Sequence, residues 1–192
     1  MRLATKMDLT SQLLIAMPGM ADHNFSQTIN LVCWHDQHGA MGLVLNRPSE
    51  QPIADLLQPL GNGTQLERNM QLRTQHVFIG GPVADDQIFV LYTDFPKYDD
   101  SISLDEDLLL CSSTTIIDAI SNGDGPEKFM IFLGYCGWGV KQLDDEINRN
   151  AWLTVDADAD LIFETPAEQQ WQAAASKLGI DINLMSSNHG NA

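Results

Sequence analysis

Apolar side chains in this chain come in short runs broken by glycine, proline and acidic residues, a pattern of brief strands and helices. Gln12–Met17 predicts a first strand, stopped by Pro18. Thr28–Trp34 and Ala40–Leu45 are apolar and β-branched and flank His35-Asp36-Gln37-His38-Gly39, which predicts a β-hairpin. Pro52–Leu57 begins with proline at a first-turn position and sets Ile53, Leu56 and Leu57 on one face, so a short helix is expected. Residues 61–74 are polar and glycine-bearing and read as a flexible loop.

His76–Ile79 and Ile88–Tyr92 predict two strands around the turn Gly80-Gly81-Pro82-Val83, with Tyr98–Asp107 as an acidic surface segment and Leu108–Cys111 as a short strand. Ser112 or Ser113 is placed to cap a helix through Ser121, with Ile116, Ile117 and Ile120 facing inward and Gly123 as the stop. Phe129–Leu133 reads as a buried strand that opens through Gly134, Tyr135, Cys136, Gly137, Trp138 and Gly139, a glycine-punctuated turn, onto a further helix. Trp152–Val155 is another strand, and Pro166 starts a last helix to Leu178 with Trp171, Ala174, Ala175 and Leu178 as its buried stripe. Hairpins early and helix–strand alternation late imply an α+β fold: a mixed, largely antiparallel β-sheet with flanking helices. One structural unit over residues 1–192 is expected, with 138–163 as a candidate lobe.

Several ordered motifs carry a resemblance. LLIAMPGM (Leu13–Met20), CWHDQHGAMGLVLNRP (Cys33–Pro48), GGPV (Gly80–Val83), FVLY (Phe89–Tyr92), GYCGW, Gln142-Leu143, Glu146-Ile147 and NAWL (Asn150–Leu153) together resemble the YqgE/AlgH family of bacterial proteins. The matches span roughly residues 9 to 187. The resemblance implies a compact α+β fold and a role in transcriptional regulation, and it brings no established catalytic residues. This chain departs from the family pattern at polar positions. Trp34 stands where Cys-Glu-His is usual, Gln87 and Ile88 where Arg-Gly is usual, Tyr92 in place of His and Lys141 in place of Gly. Thr115 also falls where a charged pair usually follows, and the ending is His189-Gly190-Asn191-Ala192. An activity that needs those polar groups is not expected here.

Charge narrows the partners. Ten Lys and Arg against 26 Asp and Glu leave a net charge of −16 at pH 7. Duplex DNA is bound largely through cations that neutralise phosphates, and this chain has neither a basic stripe nor a helix-turn-helix signature. Direct DNA binding is therefore not expected, nor is binding to anionic membrane surfaces. A protein partner or a small anionic ligand is expected instead. Three cysteines without paired spacing suit a reducing compartment. The N-terminal apolar run Leu13–Met17 is shorter than the roughly 7–15 residues of a signal-peptide core. No run approaches the roughly 18 residues of a membrane span, so a cytoplasmic location is expected.

The candidate chemistry is sparse. Cys33, His35, Asp36 and His38 suggest metal ligands, completed by Cys111, Cys136, His23 or His76, but zinc sites use recognisable ligand pairs and the second pair is missing. Strand alternation would place Cys33 and His35 on one face and Trp34 and Asp36 on the other, so neither a metal nor a cofactor is expected. Cys136, before a helix N-terminus, is the better thiol nucleophile on position, with Cys33 the alternative; either would make the protein a thiol-dependent enzyme or redox sensor. At Cys136 the family usually has Ala, so the resemblance assigns it no role.

Arg47, within Asn46-Arg47-Pro48, can fork onto a carboxylate or phosphate, although an internal acidic partner is the simpler expectation. Gly80-Gly81 and Gly137–Gly139 could cradle an anion with backbone N–H groups, without nucleotide-loop spacing. Asp145 and Arg149 are spaced for an i,i+4 pair, and Gln142 and Glu146 share that helical face. Asp156, Asp158 and Asp160 lack the rest of a calcium loop and read as surface acidity. Tyr135, Trp138, Trp152 and Trp171 read as core. The reading that results is a non-enzymatic regulatory or interaction protein, with a shallow ligand site built from Asn46, Arg47, Gly80, Gly81, Tyr135, Gly137 and Trp138.

Overall fold

The computed structural model describes residues 8–20, 22–59 and 69–186. Its elements in chain order are β1 (Gln12–Ala16), β2 (Ile29–Asp36), β3 (Gly39–Val44), β4 (Pro48–Pro52), α1 (Ile53–Leu57), α2 (Met70–Thr74), β5 (His76–Ile79), β6 (Val83–Thr93), β7 (Ile102–Ser103), β8 (Leu109–Cys111), α3 (Thr114–Asn122), β9 (Lys128–Trp138), α4 (Gln142–Asn148), β10 (Trp152–Asp156), α5 (Ala159–Phe163), α6 (Ala167–Lys177) and α7 (Ile182–Ser186). The strands form a mixed, mostly antiparallel sheet in the order β10-β1-β2-β3-β9-β6-β8-β7; β5 runs parallel to β9 and also pairs with β4. The α+β expectation holds.

Strand β9 organises this sheet. Along its β6 edge it pairs almost throughout, from Lys128 with Thr93 to Leu133 with Ile88. Its opposite edge is shared: Phe132 and Leu133 pair with β5, whereas Cys136, Gly137 and Trp138 pair with β3. The expected glycine turn at 134–139 is thus strand as far as Trp138, and the helix begins only at Gln142 after Lys141, which adopts φ +61°. Glycine reads as turn punctuation in sequence, but here the sheet recruits it because other backbone must approach closely.

The alternation of β9 slips at Gly134, where φ is +69°. Before the slip, Met130 and Phe132 join Leu13, Leu31, Leu43, Trp171 and Ala174 in a core under α6. Phe129 and Ile131 face the other way, against Val77, Val90, Ile116 and Ile120. After it, Tyr135 packs toward the first core, and Cys136 and Trp138 join Leu14, Val32, Val44, Leu143 and Trp152 beside α4. A strict period of two through Gly134 would have assigned these side chains to the wrong faces.

Helix α3 ends at Gly123 in the left-handed conformation, φ +80°, as its sequence predicts, with Ile116, Ile117 and Ile120 buried. Helix α6 buries Trp171, Ala174 and Ala175, but Leu178 lies past its last turn and is exposed. Of the segment expected to be a loop, 61–68 lies outside the described residues, and Met70–Thr74 is helix α2, capped by the Asn69 side chain. Strand β4 escaped the sequence reading because it is flanked by two prolines. No helix among the described residues is long and apolar enough to cross a membrane.

Candidate functional site

Of the seven residues singled out by sequence as a ligand site, Gly80, Gly81 and the backbone of Tyr135 build a crossing of the Gly80-Gly81 segment with β9, and the other four have other roles. The Gly80 N–H donates to the Leu133 carbonyl and its own carbonyl accepts from Val44, each at 2.8 Å. A Cβ on Gly80 would collide with the Gly134 carbonyl, one on Gly81 with the Tyr135 backbone, and one on Gly134 would lie 2.6 Å from the Gly81 carbonyl. Two backbone segments, Gly80-Gly81 and Gly134-Tyr135, therefore meet too closely for a Cβ on any of the three glycines, and Gly80 and Gly81 are buried. Both backbone polar groups of Gly80 are thus taken up within the protein.

Asn46 and Arg47 tie the adjacent loop. The Asn46 Oδ1 accepts from the Ile29 N–H at 3.0 Å while its Nδ2 donates to the Gln27 carbonyl at 2.9 Å. The Arg47 guanidinium donates to the His23 carbonyl at 2.7 Å, so its nearest partner is a backbone oxygen rather than the expected carboxylate.

Cys136 is buried beneath the crossing, with Sγ 3.3 Å from the Gly80 carbonyl. Burial pushes its thiol pKa up to about 12, only partly offset by hydrogen bonding at Val44 and by the nearby Arg47 charge. Burial also raises that of Cys33, and Cys136 adds to the shift. A nucleophilic thiol needs the opposite environment. Cys111 is buried as well.

The hairpin did not keep its cysteine and histidine together. A bulge between Val32 and Trp34 shifts the register, so Cys33 packs with Leu31 and Leu43, whereas His35 pairs with Ala40 on the α4 side. There the His35 Nδ1 accepts from the Leu9 N–H at 3.3 Å, and Nε2 lies 3.8 Å from Asp144. Among the described residues, no group of three or more His, Cys, Asp or Glu is placed to hold a metal ion. Asp145 and Arg149 form no ion pair, and Asp158 instead caps α5 through the Leu161 N–H and pairs with Lys177.

Trp138, Tyr135 and Gly137 end on opposite faces of β9. Trp138 is buried against Phe25 and Trp152, and both indole N–H groups reach Glu146. Tyr135 and Gly137 belong to the other face, in a stripe where Trp34, Val83 and Gly137 are exposed beside the partly buried Tyr135 and Met41. Cross-strand partners share a face, and the register pairs Trp34 with Met41, Met41 with Gly137, and Tyr135 with Val83. Trp34 is 43% and Val83 38% exposed. Beside the stripe, Ala84–Gln87 bulges out of β6 and carries the exposed Asp85 and Asp86, with Asp36 at the hairpin end.

A family model described as AlgH-like matches residues 13–183. The chain belongs to the AlgH-like family. Relatives include a UPF0301 protein of Xanthomonas campestris pv. campestris, 40% identical over 96% of this chain and 96% of its own length. A UPF0301 protein of Cupriavidus metallidurans is 42% identical over the same shares. The solution structure of the AlgH protein from Pseudomonas aeruginosa superposes with a TM-score of 0.75 at 39% identity, covering 100% of both chains. A crystal structure of a Corynebacterium diphtheriae protein, at 19% identity, shares the fold alone: TM-score 0.72 over 92% of this chain and 90% of that one.

Within this AlgH-like fold, the stripe residues Trp34, Met41 and Val83 escaped the sequence reading. The available signal was Trp34 itself, a large apolar residue where the family pattern usually has Glu. Alternation alone could not say whether it faced protein or solvent, because the bulge at Val32–Trp34 lies beside it.

Proposed function

We propose that this AlgH-like protein is a non-catalytic regulatory or interaction protein of the cytoplasm, and that it engages a basic segment of a protein partner through the stripe of Trp34, Met41, Gly137, Tyr135 and Val83. The observation that carries this reading is the exposure of Trp34 on a sheet face that elsewhere packs against α6, α5 and the 104–108 segment. A half-exposed tryptophan beside apolar neighbours has the composition of an interface anchor. Asp36, Asp85 and Asp86 favour a cationic partner, and Gly137 leaves a step in the surface that a side chain could enter. The net charge of −16 supports regulation through protein contact rather than direct duplex binding. The raised thiol pKa values weigh against the thiol-enzyme alternative.

The test compares quantitative capture from lysate by tagged wild-type protein and by the Trp34→Glu variant, with purified partner then titrated at two salt concentrations. A partner that binds wild type, weakens at least about tenfold with Trp34→Glu and weakens further in salt supports the reading. Equal capture by both proteins would remove the stripe from consideration, and a retarded duplex in a low-salt shift assay would overturn the protein-contact route.

A further inference from the structure

The chain turns into β1 over residues 9–12: the Leu9 carbonyl accepts from the Gln12 N–H at 3.0 Å, and Ser11, at φ +64°, donates its N–H to the Val32 carbonyl at 2.8 Å. Ahead of that turn Leu9 is buried in the cluster of Ala40, Trp138 and Leu143 on the α4 side of the sheet. Its N–H donates to a side chain rather than to a strand carbonyl: the acceptor is Nδ1 of the buried His35, 3.3 Å away.

A backbone N–H can only donate, so Nδ1 carries a lone pair and the neutral ring keeps its proton on Nε2, 3.8 Å from Asp144. Imidazole is the side chain that exchanges a proton near neutral pH, and an imidazolium donates from both nitrogens. The second proton therefore enters at Nδ1 and opposes the Leu9 N–H, donor against donor, in a buried place where an unpaired donor is costly. The positive ring is at the same time drawn to Asp144, whose side chain reaches solvent. Other charged groups on the surrounding elements are Asp8 on the N-terminal stretch, Asp36 and His38 in the hairpin, and Lys141 and Asp145 at the start of α4. Asp8 accepts from the Thr10 N–H and Asp36 from the His38 N–H, each within its own turn. Among the described residues, the carboxylate that reaches the ring is Asp144.

We propose that the contact between Leu9 and His35 is a pH-sensitive latch: the neutral ring holds Leu9 against Trp138 and Leu143, and protonation at Nδ1 pairs the ring with Asp144 and lifts the stretch ahead of the turn. The turn itself stays in place, because Ser11 is bonded to Val32 by backbone alone. Lifting Leu9 uncovers apolar surface of Trp138 and Leu143 beside α4. The latch lies on the α4 face, opposite the Trp34 stripe, so either can fail without the other.

The experiment follows uniformly ¹⁵N-labelled full chain from about pH 7.5 to about pH 5, spanning the ordinary imidazole range. It reads the His35 ring nitrogens and the hydrogen-exchange protection of the Leu9 and Ser11 amides, each corrected for the pH dependence of intrinsic exchange. The expected result is Nδ1 unprotonated at the upper pH, then a fall of at least about tenfold in Leu9 protection with the same midpoint as the ring, while Ser11 keeps its protection. His35→Gln retains an acceptor for Leu9 but does not titrate, so its Leu9 protection should stay level. Asp144→Asn, at a partly exposed helix position that should leave folding intact, removes the waiting carboxylate and should move the midpoint to lower pH. Leu9 protection that survives protonation of the ring, a loss that persists in His35→Gln, simultaneous loss at Ser11, a midpoint that Asp144→Asn does not lower, or a ring that stays neutral to the lower pH would each overturn the proposal.

Discussion

The indole N–H groups of Trp138 and Trp152 converge on a single oxygen, Glu146 Oε2, at 3.0 and 2.8 Å. Trp138 ends β9 and Trp152 begins β10, two strands separated in the sheet by β3, β2 and β1, so one α4 carboxylate links distant parts of the sheet. Gln142 donates to the other oxygen, Oε1, at 2.9 Å. Both rings are buried, and Phe25 packs against both. Glu146→Ala would strand two indole donors in an apolar setting, with an expected loss of roughly 3 kcal/mol, since bonds to charged acceptors are worth about 1.5–3 kcal/mol each and are not additive. Glu146→Gln retains an acceptor and should cost about 1 kcal/mol. Urea denaturation measures both, and equal losses would mean that the shared carboxylate contributes nothing specific.

The glycine crossing makes a sharper prediction. Gly81→Ala and Gly134→Ala each force a Cβ into backbone, which cannot rotate away as a side chain can. Each should cost at least about 3 kcal/mol, at the upper end of overpacking costs, or prevent folding. Gly137 sits in the same motif, but a Cβ there would make only ordinary contacts, the nearest 3.7 Å from the Tyr135 ring. Gly137→Ala should therefore stay within about 0.5 kcal/mol of wild type. Thermal melts of the three variants separate a backbone crossing from a ligand loop, in which Gly137 would be as sensitive as the others.

The cysteines set an alkaline limit. Cys33 and Cys136 have thiol pKa values raised chiefly by burial, whereas in the unfolded chain they titrate near the ordinary 9.0. The unfolded state then releases protons first, so the stabilisation is complete below about pH 9 and is lost progressively as pH rises toward the folded values. The urea midpoint should fall from pH 9 upward, and Cys33→Ala with Cys136→Ala should flatten that slope. Native alkylation at pH 8 should be slow for both thiols and accelerate only in denaturant. Fast labelling of Cys136 in the native state would refute the buried assignment and revive the redox reading.

Much of the architecture was legible because its signals are local: the β2–β3 hairpin, the Ile116-Ile117-Ile120 face of α3 with its Gly123 stop, and the Trp171 face of α6. The failures share a cause. At Val32–Trp34 and at Gly134 the chain adds a residue to the strand rhythm, and every downstream side chain changes face. That separated Cys33 from His35, residues that spacing alone would have grouped; Tyr135 and Trp138, three positions apart, fall on opposite faces because 135–138 is strand rather than the expected turn. The role of Gly80 and Gly81 was not legible either, because it depends on a strand some fifty residues later.

Asp158 offers the converse test at acid pH. Its carboxylate pairs with Lys177 and accepts from the Leu161 N–H at the start of α5, and these contacts lower its pKa below the ordinary 3.8, the Lys177 bond contributing most. A lowered folded value means stabilisation present above the unfolded pKa and lost as pH falls through the folded one. Asn is as good an N-cap as Asp but carries no charge. Asp158→Asn should therefore remove only the ion pair, about 0.5 kcal/mol at pH 7, since the pair is partly exposed. Asp158→Ala removes the cap as well and should cost about 1–2 kcal/mol. On acidification the deficit of Asp158→Asn should shrink to nothing once the wild-type carboxylate is protonated, while that of Asp158→Ala should persist in part, because a protonated carboxyl still offers an oxygen to Leu161. Lys177→Met should behave like Asp158→Asn and add little to it in the double variant. A pH-independent difference for Asp158→Asn would show that the charge contributes nothing and that capping alone accounts for this residue.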